Sequence, residues 1–238
     1  MTSTTGDQRT QGEVLEGLAT AVNHRRWFVE LALPYLGEHP VEVGSGLGLY
    51  ADEWVANGTI SKFTATEAEP DRLVALKEKF AGNPKIDVVE LLLPATVDGN
   101  HSAAVSYNVL EHIEDHVGAL RSMAQLVRPG GAIILIVPAF EFAMSPIDIA
   151  TGHVRRYTKK TMRRALTDAG LVVERLHYAN ALGLLGYYMA TSVFKLVPKE
   201  GPMVKFYDRF VLPVTKAAEQ VVRPPFGQSV FAVARVPS

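Results

Sequence analysis

Val41-Glu42-Val43-Gly44-Ser45-Gly46-Leu47-Gly48 is a short strand-forming stretch that breaks into three glycines at alternate positions, and Leu49 to Ala56 follows with helix-forming residues. Strand, glycine turn and helix form the opening unit of a nucleotide-binding α/β sheet, whose turn lies at the carboxyl end of the strands where ligands bind. Glycines there let backbone approach a ligand that a side chain would exclude. The spacing is G-x-G-x-G, whereas a dinucleotide fingerprint needs G-x-G-x-x-G. Its third glycine would fall on Leu49, which disfavours NAD. Glu67 stands 19 residues beyond Gly48 at the end of the next strand-forming run. A carboxylate in that place can accept both hydroxyls of a ribose, so the spacing suits an adenosine ligand.

Outward from this unit the pattern alternates. The spacing predicts strands over Phe63 to Thr66, Ile86 to Val89, Ala103 to Ser106 and Ala132 to Val137, with helices over Asp71 to Phe80 and Val117 to Leu126. Arg128-Pro129-Gly130-Gly131 reads as the stop of the second of these helices. Ala132 to Val137 is continuously apolar, as expected of a strand buried on both faces. A helix from Lys159 to Ala169 stopped by Gly170, then a strand from Val172 to His177, continue the alternation. The fold class is α/β, a Rossmann-like doubly wound and mostly parallel sheet. Residues about 181–225 interrupt the rhythm with helices over Leu182 to Leu196 and Val204 to Val222 ahead of a last strand, Ser229 to Val236. That insertion is expected to cap the sheet. Apolar spacing from Glu13 to Leu36 predicts one or two leading helices, and residues 1–12 are expected to be disordered, leaving 13–238 as one domain.

The 238 residues are 47% hydrophobic and 21% charged, an ordinary globular mix that excludes disordered, coiled-coil and collagen-like classes. A net charge of −1 lacks the basic excess of a nucleic-acid binder, so DNA is not expected as a partner. With no cysteine, thiolate nucleophiles, zinc-thiolate sites and iron–sulfur clusters are excluded. The polar N-terminus has no secretory character, which points to a cytoplasmic protein. The most apolar window, Ala179 to Val197, falls short of the ~20 apolar residues that cross a bilayer, and reads as a buried or interfacial helix.

Further pieces follow in order: Tyr107-Asn108-Val109-Leu110-Glu111-His112-Ile113, then Arg128-Pro129-Gly130-Gly131 before the apolar strand, Gly152-His153, and the Tyr157-Thr158 helix start. With the glycine turn and Glu67, they make the stretch from Trp27 to Leu176 resemble a class I S-adenosylmethionine-dependent methyltransferase. The resemblance implies a seven-stranded sheet with the last strand antiparallel. It also implies that Gly44, Gly46 and Gly48 line the methionine half of the cofactor, with Glu42 and Ser45 among its contacts. Glu67 would hold the ribose, and Asn108 would lie beside the sulfonium. Two departures stand out: Leu91, Leu92 and Leu93 replace an acid that often contacts adenine, and His101-Ser102-Ala103-Ala104 replaces the usual opening of the fourth strand.

Methyl transfer is an in-line displacement at an activated carbon, so the protein supplies positioning and, for a hydroxyl acceptor, removal of a proton. His153 and His112 are the candidate catalytic residues, and His116 and Tyr157 are reserves. Asn108, Glu111 and His112 fall at i, i+3 and i+4 and share one face if the fourth strand runs into a helix. Glu111, His112 and His153 resemble the oxygen-and-imidazole metal sites of some 2′-hydroxyl RNA methyltransferases and quinone-biosynthesis O-methyltransferases. A bound Mg²⁺ or Mn²⁺ would lower the pKa of a coordinated hydroxyl. The bland alternative is that Glu111 and His112 open a helix and bond only to backbone. Arg155 and Arg156 either bind an anionic acceptor or serve structure, one exposed and the other paired with an acid. The function expected is methyl transfer to a hydroxyl of a small-molecule acceptor, with a saccharide or glycoconjugate favoured by the Gly152-to-Tyr157 segment and the aromatic insertion. The alternatives are N- or C-methylation of a small metabolite and a noncatalytic cofactor-binding subunit.

Overall fold

A computed structural model describes residues 6–7, 12, 20–190 and 202–238. Nearly all of the expected disordered N-terminus and the helical stretch from Glu13 lie outside the described residues, as does the end of the helix expected over Leu182 to Leu196.

The first continuous helix, α1 (Val22–Leu36), buries Trp27, Phe28, Ala32 and Leu36 against the sheet. Strand β1 (Val41–Val43) is wholly buried and turns through the glycines into α2 (Leu49–Ala56). Then come β2 (Phe63–Glu67), α3 (Pro70–Phe80), β3 (Ile86–Glu90) and β4 (His101–Tyr107). After a 3₁₀ turn at Leu110–His112 follow α4 (His116–Leu126), β5 (Val127–Pro138), the short α5 (Pro146–Ala150), α6 (Lys159–Asp168) and β6 (Val172–Ala179). The insertion expected to act as a cap holds α7 (Ala181–Tyr188), α8 (Pro202–Phe206), a π-helical turn (Tyr207–Val211) and α9 (Leu212–Val221), and β7 (Ser229–Arg235) closes the sheet.

The strand order is 3-2-1-4-5-7-6. Strands β1 to β5 pair in parallel, while β7 runs antiparallel to both β5 and β6. The seven-stranded doubly wound sheet with an antiparallel last strand is therefore the observed architecture. One face packs Trp27, Phe28, Trp54 and Phe80, and the other packs Leu120, Met123, Met162 and Leu166. Because β1, β2, β4 and β5 are parallel, the residues that follow their last positions gather along one edge of the sheet.

Three local expectations are corrected. The helix ends where expected, at Leu126, but the strand expected from Ala132 starts at once at Val127, so Arg128-Pro129-Gly130-Gly131 is the first part of β5. A Cβ on Gly131 would lie 2.7 Å from the Ser102 carbonyl oxygen, so glycine is what lets β5 close on β4 there. Gly130 donates to Val236, and Val236 donates to Gly131, which extends the ladder with β7. Second, the fourth strand does not run into a helix. Asn108 adopts a positive φ of 54°, a 3₁₀ turn follows, and α4 waits for the Asp115 side chain to cap the amide of Gly118. The i, i+3, i+4 face of Asn108, Glu111 and His112 therefore does not exist as a helix face. Third, the helix expected over Val204 to Val222 is interrupted by the π turn at Tyr207–Val211.

Candidate active site

The turn after β1 holds Gly44, Gly46 and Gly48 at φ of 76°, 54° and 66°. Left-handed backbone favours glycine at each, and two of the three are also required by packing. A Cβ on Gly44 would lie 2.5 Å from a Val109 methyl, and one on Gly48 would lie 2.7 Å from the Phe80 ring. The first contact places the segment after β4 directly against the glycine turn. Ser45 donates its amide to Thr66 at 2.7 Å, and Gly46 donates to Glu67 Oε2 at 2.9 Å. Glu67 Oε1 accepts from the amides of Ala68 and Glu69, both at 2.9 Å. The buried carboxylate thus ties the ends of β1 and β2 together and is locked in place.

Beneath the turn, Glu42 is 2% exposed. Burial pushes its carboxyl up to about 8. Its Oε2 and the Ser45 hydroxyl are buried without a hydrogen-bond partner among the described residues. An unmade hydrogen bond on a buried polar atom costs about 1 to 3 kcal/mol, so two such atoms at one turn suit a ligand with donors to offer.

The second half of the site is built by two loops. Glu111 and His112 come from the 3₁₀ turn after β4. His153 comes from the segment that follows α5, a helix opened by a capping box in which Ser145 and Asp148 bond reciprocally. The two loops are stitched together. Val154 donates to the Glu111 carbonyl oxygen at 2.9 Å, and Arg155 donates to the carbonyl oxygens of Ile113 and Glu114. His153 Nε2 lies 3.9 Å from Glu111 Oε1, and the His112 and His153 rings meet edge to face at 4.7 Å. One donor atom from each of Glu111, His112 and His153 lies within 4.8 Å of the others.

Glu111 is fully buried, and neither carboxylate oxygen has a hydrogen-bond partner among the described residues. Burial, opposed by His153 and Arg156, pushes it up to about 7. Burial and the neighbouring His153 hold His112 down to about 4, so it is a neutral imidazole at ordinary pH.

Asp148 went unnoticed in the sequence. Its Oδ1 lies 2.8 Å from His153 Nδ1, and it accepts from Arg156 Nη2 at 2.8 and 3.0 Å, from the Ser145 amide at 2.6 Å and from the Tyr187 hydroxyl at 3.1 Å. Burial alone would raise its carboxyl, but His153, Arg156 and Ser145 hold it well below the usual carboxylate range. The available signal was Ser145-Pro146-Ile147-Asp148, a capping box with proline at the first helical position. Of the two arginines, Arg156 is the buried partner of Asp148, and Arg155 is half-buried against backbone carbonyls. The pairing with an acid expected of one arginine is seen at Arg156, while Arg155 is not exposed as the structural alternative had it. His116 Nδ1 lies 2.9 Å from the Tyr157 hydroxyl, outside the Glu111–His112–His153 cluster.

Residues 41–133 match a family model described as a methyltransferase domain. The chain is 24% identical to the ubiquinone biosynthesis O-methyltransferase of Escherichia coli O127:H6 (strain E2348/69) over 187 residues, which cover 72% of this chain and 75% of that protein. Among solved structures, it resembles the methyltransferase in a complex with the Trm112 methyltransferase activator of Haloferax volcanii. That match has 16% identity and a TM-score of 0.64, over 98% of this chain and 95% of the other. It also resembles an S-adenosylmethionine-dependent methyltransferase from Mesorhizobium loti at 17% identity and a TM-score of 0.58, over 87% and 95%. At these identities the solved structures speak for the fold. The domain match begins at the first residue of β1, takes in the glycine turn and Glu67, and ends inside β5. With the sheet order around it, this makes the chain similar to the class I S-adenosylmethionine-dependent methyltransferases over the stretch that holds the glycine turn.

Proposed function

We propose that the chain methylates a hydroxyl group of a small acceptor, with His153 as the group that takes the proton. The observation that carries this reading is the placement of His153 between Asp148 and Glu111. Nδ1 stands beside Asp148 Oδ1 without the alignment of a hydrogen bond; with its proton on that side the imidazole would leave the Nε2 lone pair free, the arrangement that fits a general base. Bound S-adenosylmethionine would supply an activated methyl carbon, and His153 Nε2 would take the proton that the acceptor hydroxyl gives up on methylation. Glu111, 3.9 Å away, offsets the charge that appears on the imidazole. The name of the Escherichia coli relative, an O-methyltransferase, supports the oxygen acceptor.

For the cofactor, Glu42 Oε2 and the Ser45 hydroxyl supply acceptors that fit the methionine ammonium, Glu67 takes the ribose, and Asn108 stands on the sulfonium side. A saccharide or glycoconjugate acceptor rests on the Gly152-to-Tyr157 segment and on the aromatic residues of the cap. Phe142 and Tyr188, an exposed edge-to-face pair with centroids 5.7 Å apart, offer flat surface for a sugar ring.

A second reading is favoured by Glu111. A fully buried carboxylate with both oxygens unpartnered, beside two imidazoles, fits a hard divalent cation such as Mg²⁺ or Mn²⁺. Glu111, His112 and His153 would hold it, and it would supply a lowered pKa for a coordinated hydroxyl.

The test is turnover with cofactor carrying a ¹³C-labelled methyl group and a mixed pool of hydroxylated acceptors, followed by the carbon chemical shift of the product. A labelled methyl ether is expected; label on nitrogen or carbon, or cofactor binding without turnover, would overturn the assignment. His153→Ala should cost roughly 10² to 10⁴ in rate with cofactor affinity unchanged. Chelator should leave the wild type untouched under the first reading. Under the second it should abolish turnover, and added Mg²⁺ or Mn²⁺ should restore it.

A further inference from the structure

In the cap, the stretch from α8 through the π turn to α9 turns the wrong face outward. Phe206, Phe210 and Val214 recur every four residues and are 60%, 56% and 64% exposed, and Met203 and Val221 extend the same stripe. The inward face of the same stretch is partly polar. Asp208 is buried, and its carboxylate accepts from the amides of Asn23 and His24, while Leu212 and Thr215 are buried beside it. Glu219 reaches back to the amides of Asn180 and Ala181. These contacts fix the rotation of the stretch: with Asp208 and Glu219 capping amides on the protein side, the phenylalanines have nowhere to point but solvent.

The charges are equally one-sided. Residues 202–226 hold four cations, Lys205, Arg209, Lys216 and Arg223, against two acids, Asp208 and Glu219, and both acids are the ones turned inward. At helical spacing Lys205, Arg209 and Lys216 fall on one flank of the apolar stripe, while Arg223, past the end of α9, reaches His177. Arg209 lies over the Phe210 ring at 5.6 Å, and Lys216 pairs with Glu30. The chain as a whole carries a net charge of −1, so the cap is a local positive excess. A helical surface with large apolar side chains on one stripe and lysine and arginine along its flank is built to lie in a lipid headgroup layer. Basic residues near such a stripe favour anionic lipid.

We infer that the outer face of α8 and α9 seats this methyltransferase peripherally on an anionic bilayer, with Phe206, Phe210 and Val214 entering the interface and Lys205 and Arg209 meeting the headgroups. The long axis of the cap then lies in the membrane plane. No residue of the cofactor turn or of the Glu111–His153 cluster takes part, so binding is separable from catalysis.

The experiment is flotation of the full chain with vesicles of phosphatidylcholine alone and of phosphatidylcholine mixed with phosphatidylglycerol. The wild type should float with the anionic vesicles, less with the neutral ones, and less as salt is raised. Phe206→Glu with Phe210→Glu should lower the bound fraction by roughly tenfold or more. Lys205→Gln with Arg209→Gln should remove the preference for anionic lipid. Calorimetric binding of S-adenosylhomocysteine should be unchanged in both variants, which shows that they are folded. Three results would overturn the inference: no flotation of the wild type with either vesicle, flotation of the Phe206/Phe210 variant equal to wild type, or a concentration-dependent dimer in light scattering that the same variant abolishes while vesicles bind neither. The last would make the stripe a contact between two copies of the chain.

Discussion

Glu67→Gln isolates the charge at the centre of the cofactor turn while nearly conserving volume. The native carboxylate accepts three amides, from Gly46, Ala68 and Glu69, each at 2.9 Å. A glutamine can keep its carbonyl oxygen toward Ala68 and Glu69, but its NH₂ then faces the Gly46 amide, donor against donor. One charge-assisted bond is lost outright, worth about 1.5 to 3 kcal/mol. For a chain of this length, where 1 kcal/mol moves Tm by about 2–4 °C, the melting temperature without ligand should fall by roughly 3 to 12 °C. The cofactor suffers separately, because the NH₂ cannot accept from a ribose hydroxyl. Losing one such bond should weaken S-adenosylhomocysteine by roughly 10- to 100-fold, at 1.4 kcal/mol per decade. Calorimetry measures the second effect and thermal unfolding of the free protein the first. Affinity within about twofold of wild type would refute the placement of the ribose on Glu67, even if the protein melted earlier as expected. An unchanged Tm would refute the account of the carboxylate as the tie between β1 and β2.

Gly44→Ala should destabilise by roughly 1 to 3 kcal/mol, since its Cβ would sit 2.5 Å from Val109 at a φ of 76°. Adding Val109→Ala should recover the steric part, which denaturant unfolding can measure. Burial keeps Glu42 protonated in the free protein up to about 8, whereas the unfolded carboxyl ionises near 4.5. Stability should therefore fall as pH climbs between those values, and binding of S-adenosylhomocysteine, whose ammonium favours the carboxylate, should release a proton and tighten over the same window; buffer-dependent calorimetric heats and the Glu42→Gln variant check this. Asp148→Asn should cost about 3 to 5 kcal/mol, because it leaves the buried Arg156 without its counter-ion, and it should lower turnover more than cofactor affinity.

The fold was legible wherever the pattern of one segment sufficed. The boundaries of β1 and α2 follow from the valines and glycines alone, and the centre of β5 announces itself through the continuous apolar run Ala132 to Val137. The errors fall where a distant segment decides. Pro129 and Gly130 read only as a helix stop, yet the Val236 backbone draws Gly130 and Gly131 into a ladder that the local sequence does not announce. The helical reading of Asn108 to His112 failed because Asn108 takes a left-handed φ that i, i+4 counting does not register. Residues 13–19 and 191–201 fall outside what the structure describes.

The site divides along the same line. The glycine turn and Glu67 belong to a local unit with fixed spacing, but the reason for two of the glycines is not the cofactor alone. Gly44 faces Val109, and Gly48 faces Phe80, contacts that join residues 65 and 32 positions apart in sequence. Glu111, His112 and His153 were singled out by residue type, and their convergence depends on the backbone bond from Val154 to Glu111. Asp148 carried no catalytic signal of its own, being one more acid at a helix start. It acquires meaning because Arg156 neutralises it, Ser145 caps against it, and Tyr187 reaches it from the cap, so that three side chains fix the one carboxylate facing His153 Nδ1. A carboxylate so restrained cannot swing to follow the imidazole. The orientation of His153 is therefore set by α5 and α7 together, and a change in the packing of the cap on Tyr187 should be felt at Nε2 before it is felt at the cofactor turn.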